Sequence, residues 1–359
     1  MKRIIEIGVL LSRSGTYEPM SRATLAGVLR GIDEVSADMR YGVDFAPVVR
    51  DPAGDLANYS PMCQELLGQQ NIRHIFGCVT SASRKEVIPA LERHGGVLWY
   101  PLPYEGFEAS EHIAYMHACP NQHVVPLLEW AAATLGPNAY LVGSNYIWGW
   151  EIARIARERI LASGGRIMGD RYQVLNDTSM PHILDEIARL KPDFILNSLV
   201  GESAYHFFAE LAKLRAASGG AVNPAVLSCN FTEAELSKTG STAEGLISVG
   251  PWFAPAPAPL GNSFAEMARR SVHELAQLLT IVPDGEHLPL SALVNTAAKR
   301  GYVSLLAGDT LHAKLPVVIA RLEGQQFMEI KRLSPRAADP YLSRSRFDGD
   351  MRPSLRVVS

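Results

Sequence analysis

Short β-branched or apolar runs alternate with longer amphipathic ones along most of the chain. That alternation is the pattern of a parallel sheet whose strands are joined by crossover helices, an α/β fold. Spacing predicts strands over 4–11, 43–49, 74–77, 97–101, 113–117, 139–143, 166–173, 193–199, 225–229 and 246–249. Helices are expected over 20–35, 58–70, 84–94, 124–135, 151–163, 181–190, 203–216 and 264–279. Gly136-Pro137, Gly164-Gly165 and Ser218-Gly219-Gly220 follow the last helical turns, where a helix must stop. The alternation runs once to about residue 118 and begins afresh after Cys119-Pro120-Asn121, which predicts two similar α/β units in tandem. A length of 359 residues agrees, since a single core rarely grows beyond about 250–300.

Past Gly250 the texture changes. Residues 254–259 read Ala-Pro-Ala-Pro-Ala-Pro, an extended spacer. Two helical stretches follow, then a hairpin of 315–322 with 327–333, and a charged tail from Ser334 expected to wrap the surface.

Composition removes whole classes of function. With 34 basic and 37 acidic residues and net charge -3, no global field favours nucleic acid or an anionic membrane face. The longest apolar runs are strand-length, far short of the roughly 20 residues of a membrane span. Cys63, Cys78, Cys119 and Cys229 form no C-x-x-C pair and are too few for a disulfide framework, so a reducing compartment is allowed. Met1-Lys2-Arg3 leads straight into an apolar run that reads as the first strand rather than an export signal. The expected location is the cytoplasm, or the periplasm if a signal peptide lies upstream.

Ligands of open α/β sheets bind outside the carboxyl ends of the strands, so the loops there are the first candidates. The third strand is followed by Gly77-Cys78-Val79-Thr80-Ser81-Ala82-Ser83-Arg84-Lys85-Glu86. Ser83 and Glu86 have capping-box spacing, which assigns Ser83 to the helix start and leaves Ser81 free to hold a ligand oxygen. The fourth strand is followed by an aromatic, proline-stiffened loop from Tyr100 through Leu102, Pro103, Tyr104 and Glu105 to Glu108, and the sixth by Gly143-Ser144-Asn145-Tyr146-Ile147-Trp148. Two aromatic loops, one from each unit, are expected to face each other across a cleft and to wall a small polar ligand.

Enzyme signatures are missing: the chain has no G-x-S-x-G, H-E-x-x-H, G-x-x-x-x-G-K-[ST] or G-x-G-x-x-G. A hydrolase would need a nucleophile paired with a base, and Ser81 or Cys78 has only distant histidines in sequence. His112, His117, Cys119 and His123 match no common zinc spacing and alternate across a strand, so they are expected to be structural, with no metal. No cofactor and no catalytic residue is expected.

The segments 77–89, 100–108 (Tyr-Pro-Leu-Pro-Tyr-Glu-Gly-Phe-Glu), Pro120-Asn121-Gln122, Val142 to Ile147 and Asp339-Pro340-Tyr341 resemble the amide- and urea-binding branch of the type I periplasmic-binding-protein fold. That branch includes the cytoplasmic amide sensor that represses bacterial aliphatic amidase operons and the secreted receptor of urea importers. The resemblance implies two Rossmann-like lobes joined by three crossovers around a ligand cleft, with 1–119 plus 251–305 in one lobe and 120–250 plus 306–359 in the other. It implies that Ser81, Tyr100 and Tyr146 hold the amide group, with Val79, Thr80, Leu102, Pro103, Trp148, Gly201 and Glu202 beside it. Val79, Leu102, Trp148 and Glu202 depart from the usual residues, which bears on the identity of the ligand.

The first functional expectation is therefore a cytoplasmic sensor of a small amide-like molecule. Its implied partner is an RNA-binding antitermination regulator, and a homo-oligomer is an open possibility. The second is a solute receptor for an importer of urea or short-chain amides. Because the Gly-Cys loop before Arg84 and the two aromatic loops hold no lysine or arginine, the ligand is expected to be uncharged or weakly cationic and to donate N–H hydrogen bonds, with Glu202 as an acceptor.

Overall fold

A computed structural model describes residues 2–69, 72–255 and 261–343. The first unit runs β1 (Arg3–Leu10), α1 (Glu18–Ala37), β2 (Val43–Arg50), α2 (Tyr59–Gln64), β3 (His74–Gly77), α3 (Ser81–His94), β4 (Val97–Tyr100) and β5 (Ile113–Tyr115). Its strands pair in parallel in the order β2-β1-β3-β4-β5. The second runs α4 (Val124–Thr134), β6 (Asn138–Ser144), α5 (Ile147–Ala162), β7 (Arg166–Gln173), α6 (Pro181–Leu190), β8 (Phe194–Ser198), α7 (Glu202–Ala217), β9 (Ala225–Ser228), α8 (Leu236–Thr239) and β10 (Ile247–Gly250).

The chain then returns to the first lobe as α9 (Ser263–Ile281) and α10 (Leu290–Lys299), whose apolar faces join the core under the first sheet. Helix α9 lies so close to α1 that a side chain at Gly27 would strike the Ala265 carbonyl oxygen at 2.1 Å. Leu311–Ala313 hydrogen-bonds along Tyr115 of β5 before the chain crosses once more. The hairpin β11 (Leu315–Glu323) and β12 (Gln326–Arg336) adds antiparallel strands to the second sheet, giving the order β12-β11-β10-β9-β8-β6-β7. The result is an α/β protein of two sheet-based lobes.

Three local expectations need correction. The N-cap of α3 is Thr80, whose hydroxyl accepts from the Ser83 N–H while the Ser83 hydroxyl accepts from the Thr80 N–H, so Ser83 closes the box and does not open it. The expected helix over 58–70 is a 3₁₀ turn, the short α2 and a π-helical turn over Glu65–Gln69. Short helical turns over 233–243 were not foreseen. Most of the Ala-Pro spacer and the tail beyond Ser343 lie outside the described residues.

Candidate ligand-binding site

A cavity of about 20 Å³ lies between the lobes at the carboxyl ends of the strands. Tyr17, Met20, Val79, Thr80, Ser81, Tyr100 and Pro103 line it from the first lobe, and Tyr146, Trp148, Val200 and Asn230 from the second. The structure thus brings together seven of the ten sequence-predicted residues. Leu102 is buried but not on the lining. Gly201 instead marks a contact between lobes: at φ +59 it approaches Thr16 so closely that a Cβ would lie 2.3 Å from Thr16 Cγ2. Glu202 is exposed in the first turn of α7, where a carboxylate is favoured by the helix dipole, and it does not reach the cavity.

Local geometry explains how the first-lobe residues reach the cavity. After β3 the backbone turns at Cys78, held at φ +57, and Thr80 caps α3, which turns Ser81 toward the cavity. The Ser81 hydroxyl donates to the Glu105 carboxylate, and the Tyr100 hydroxyl donates to the Val79 carbonyl at 3.0 Å. Opposite them, Trp148 is buried on the lining, and its indole N–H has no partner among the described residues. Asn230 is tied to the Leu199 carbonyl at 3.2 Å.

Behind this wall sits a buried charge cluster. Arg84 donates to Glu105 at 3.0 Å and to Glu108 at 2.8 Å, and its guanidinium carbon lies 4.9 Å and 5.0 Å from the ring centres of Tyr100 and Tyr104. Burial would raise the Glu108 pKa, but Arg84 and Lys85 outweigh it and hold the group at about 2. Burial pushes the Tyr17 phenol up to about 12 despite an opposing interaction with Tyr146, and it raises Tyr100 and Tyr146 as well. All three phenols therefore keep their protons near neutral pH.

Tyr17, Met20, Val200, Asn230 and the supporting Glu105 escaped the sequence reading. Tyr17 follows β1 and Asn230 follows β9, so applying the strand-end rule to every strand would have found both. The histidines are separately engaged: His112 with the Gly96 carbonyl (2.8 Å), His117 with Ser263 (3.1 Å), His123 with the Tyr104 carbonyl (2.9 Å). Among the described residues no three His, Cys, Asp or Glu side chains are grouped to hold a metal.

Neither Ser81 nor Cys78 is set up as an activated nucleophile among the described residues. The partner of Ser81 is a carboxylate already paired with arginine, and burial drives the Cys78 thiol well above its ordinary pKa.

Residues 5–304 match the model of the periplasmic binding protein domain. The chain belongs to that family. Its members bind ligands without chemical turnover, and this periplasmic binding protein has the same non-enzymatic character. Solved structures share the fold. A Rhodopseudomonas palustris HaA2 transporter solute-binding protein in complex with p-hydroxybenzoic acid is 17% identical, with TM-score 0.79 over 96% of this chain and 100% of that one. An R. palustris solute-binding protein with 4-hydroxybenzoate is 18% identical, with TM-score 0.77 over 93% and 98%. The branched-chain amino acid transporter substrate-binding protein of Streptococcus pneumoniae with isoleucine is 15% identical, with TM-score 0.74 over 91% and 99%. Among the described residues no helix is long and apolar enough to cross a membrane.

Proposed function

We propose that this periplasmic binding protein is a solute receptor that closes on a small, uncharged carboxamide or urea. The observation that carries this reading is the hydrogen-bond polarity of the cavity. The Ser81 and Tyr100 hydroxyls donate to the Glu105 carboxylate and the Val79 carbonyl, so toward the cavity each oxygen is an acceptor. The unpartnered Trp148 N–H is a donor. An amide offers N–H groups to the first pair and a carbonyl oxygen to the indole. Benzoates or amino acids, the ligands of the solved relatives, carry a carboxylate, and no lysine or arginine is among the residues described on the lining.

Because the lining comes from both lobes, a bound ligand bridges them and favours the closed arrangement, which is the signal a partner reads. The division into lobes of 1–119 with 251–305 and 120–250 with 306–359 belongs to this proposal, supported by the packing of α9 on α1 and the pairing of β11 with β10. The solved relatives are transporter proteins, which favours a receptor feeding an importer. The sensor reading, with an antitermination regulator as partner, is carried by the loop resemblance alone.

The first test is calorimetry with acetamide, propionamide and urea against acetate, isoleucine and 4-hydroxybenzoate. The amides are expected to bind more tightly than the acids. Binding of an acid in preference to every amide rejects the proposal. In a deletion strain, loss of labelled amide uptake supports the receptor, and altered expression of amide-degrading enzymes with normal uptake supports the sensor.

A further inference from the structure

We propose that Glu105, which does not line the cavity, is the residue that makes the site select an N–H donor over a carboxylate, by fixing the direction of the Ser81 hydroxyl. The inference rests on the amide reading above and extends it to a positioning residue behind the site.

Glu105 is 1% exposed and has both oxygens occupied. One accepts from Arg84 Nη2 at 3.0 Å and the other from Ser81 Oγ. The arginine cannot swing away, because Glu108 holds its Nε at 2.8 Å and the Tyr100 and Tyr104 rings enclose it. A carboxylate paired with a guanidinium only accepts, so the single proton of Ser81 must point at Glu105 and away from the cavity. What Ser81 then shows a ligand is lone pairs. A ligand N–H extends a chain that runs N–H to Oγ–H to carboxylate, each link polarising the next. An anionic oxygen in the same place meets lone pairs with a second negative charge behind them.

Arg84 also determines what a glutamine would do at this position. Its Nη2 donor would hold the amide oxygen, turning the amide nitrogen toward Ser81. That nitrogen donates, so the Ser81 proton is released into the cavity and the polarity of the site reverses. Glu105→Gln keeps the shape and changes the sign of one hydrogen bond.

The experiment is calorimetric titration of acetamide and acetate into the full chain, in wild type, Glu105→Gln, Glu108→Gln and Ser81→Ala. Wild type is expected to prefer acetamide, and Glu105→Gln to lower the acetamide-to-acetate affinity ratio about tenfold or more, the size of one hydrogen bond to a charged network. Glu108→Gln removes a neighbouring charge without touching Ser81 and is expected to leave the ratio in place. An unchanged ratio in Glu105→Gln, or an equal drop in Glu108→Gln, overturns the proposal. Should Glu105→Gln fail to fold, Ser81→Ala decides: loss of acetamide affinity with none for acetate supports an accepting Ser81, and equal loss of both overturns it. A wild type that binds neither probe rejects the amide reading itself, an outcome distinct from an unchanged ratio.

Discussion

Arg84 and Glu105 meet at 3.0 Å with side chains 0% and 1% exposed, so the ion pair behind the cavity is wholly shut off from water. Such a pair adds little over an apolar equivalent, but removing one partner strands the other. Arg84→Met leaves Glu108 with Lys85 alone as its cation and the buried Glu105 with only Lys85 at 4.0 Å, and is expected to cost about 3–5 kcal/mol in urea denaturation. A loss below about 1 kcal/mol would show that the cluster is not the buried network described here.

Trp148→Phe separates the donor from the acceptors. The phenyl ring retains much of the apolar wall but has no N–H, so acetamide affinity is expected to fall about tenfold, the worth of one buried hydrogen bond. Acetamidine, which has no carbonyl oxygen, should lose much less. Parallel losses for the two compounds would place the indole N–H outside the ligand's reach.

Gly201 packs against Thr16 across the two lobes, and the substitution Gly201→Ala tests that contact. The new methyl would sit 2.3 Å from Thr16 Cγ2 on a backbone at φ +59 and ψ -142, a region open essentially to glycine alone that costs an L-residue about 1–3 kcal/mol. Weaker acetamide binding is expected, with partial recovery on adding Thr16→Ser, which removes the clashing methyl. Binding unaffected by Gly201→Ala would mean that the liganded form does not need this approach.

The pH dependence of stability has two opposite limbs. Glu108, ordinarily near 4.5, lies at about 2 in the folded chain. It contributes stability that is complete above 4.5 and lost as pH falls toward 2. Burial raises Glu233 to about 7 and Glu235 to about 8, and each has an oxygen without a partner among the described residues. Folding therefore favours their protonated forms, so stability is complete below 4.5 and lost as pH rises toward 8. Glu235→Gln, which can still accept from Tyr205, should exceed wild type in stability above pH 8 by about 1 kcal/mol or more. Equal unfolding midpoints at pH 9 would refute this.

Chelator treatment should leave the melting temperature unchanged, since the rings of His112, His117 and His123 are engaged by Gly96, Ser263 and Tyr104. A stoichiometric metal found by elemental analysis would overturn that reading.

The strand-helix alternation was legible because buried parallel strands need apolar runs, and Tyr100 and Tyr146 stood out as aromatics at strand ends. Glu105 did not, because a glutamate in an aromatic loop shows its burial only through Arg84, which folding brings to it from 21 positions earlier. Thr80 was passed over as a cap because its reciprocal partner is Ser83 where Glu or Gln is usual. The break after α2 was hidden for another reason: apolar spacing does not distinguish an α-turn from the π-turn that follows it.

The interleaving of the two lobes has a consequence for synthesis. The core under the first sheet needs α9 and α10, which leave the ribosome only after β10 of the second sheet, and the second sheet needs β11 and β12, made later still. Neither lobe can mature as a nascent N-terminal unit. Until residue 323 has emerged, β10 presents an unpaired edge, and until α9 has emerged α1 presents an uncovered face. The same topology that sets a two-sided cavity at the lobe boundary leaves apolar surface and a strand edge of the unfinished chain uncovered late into its translation.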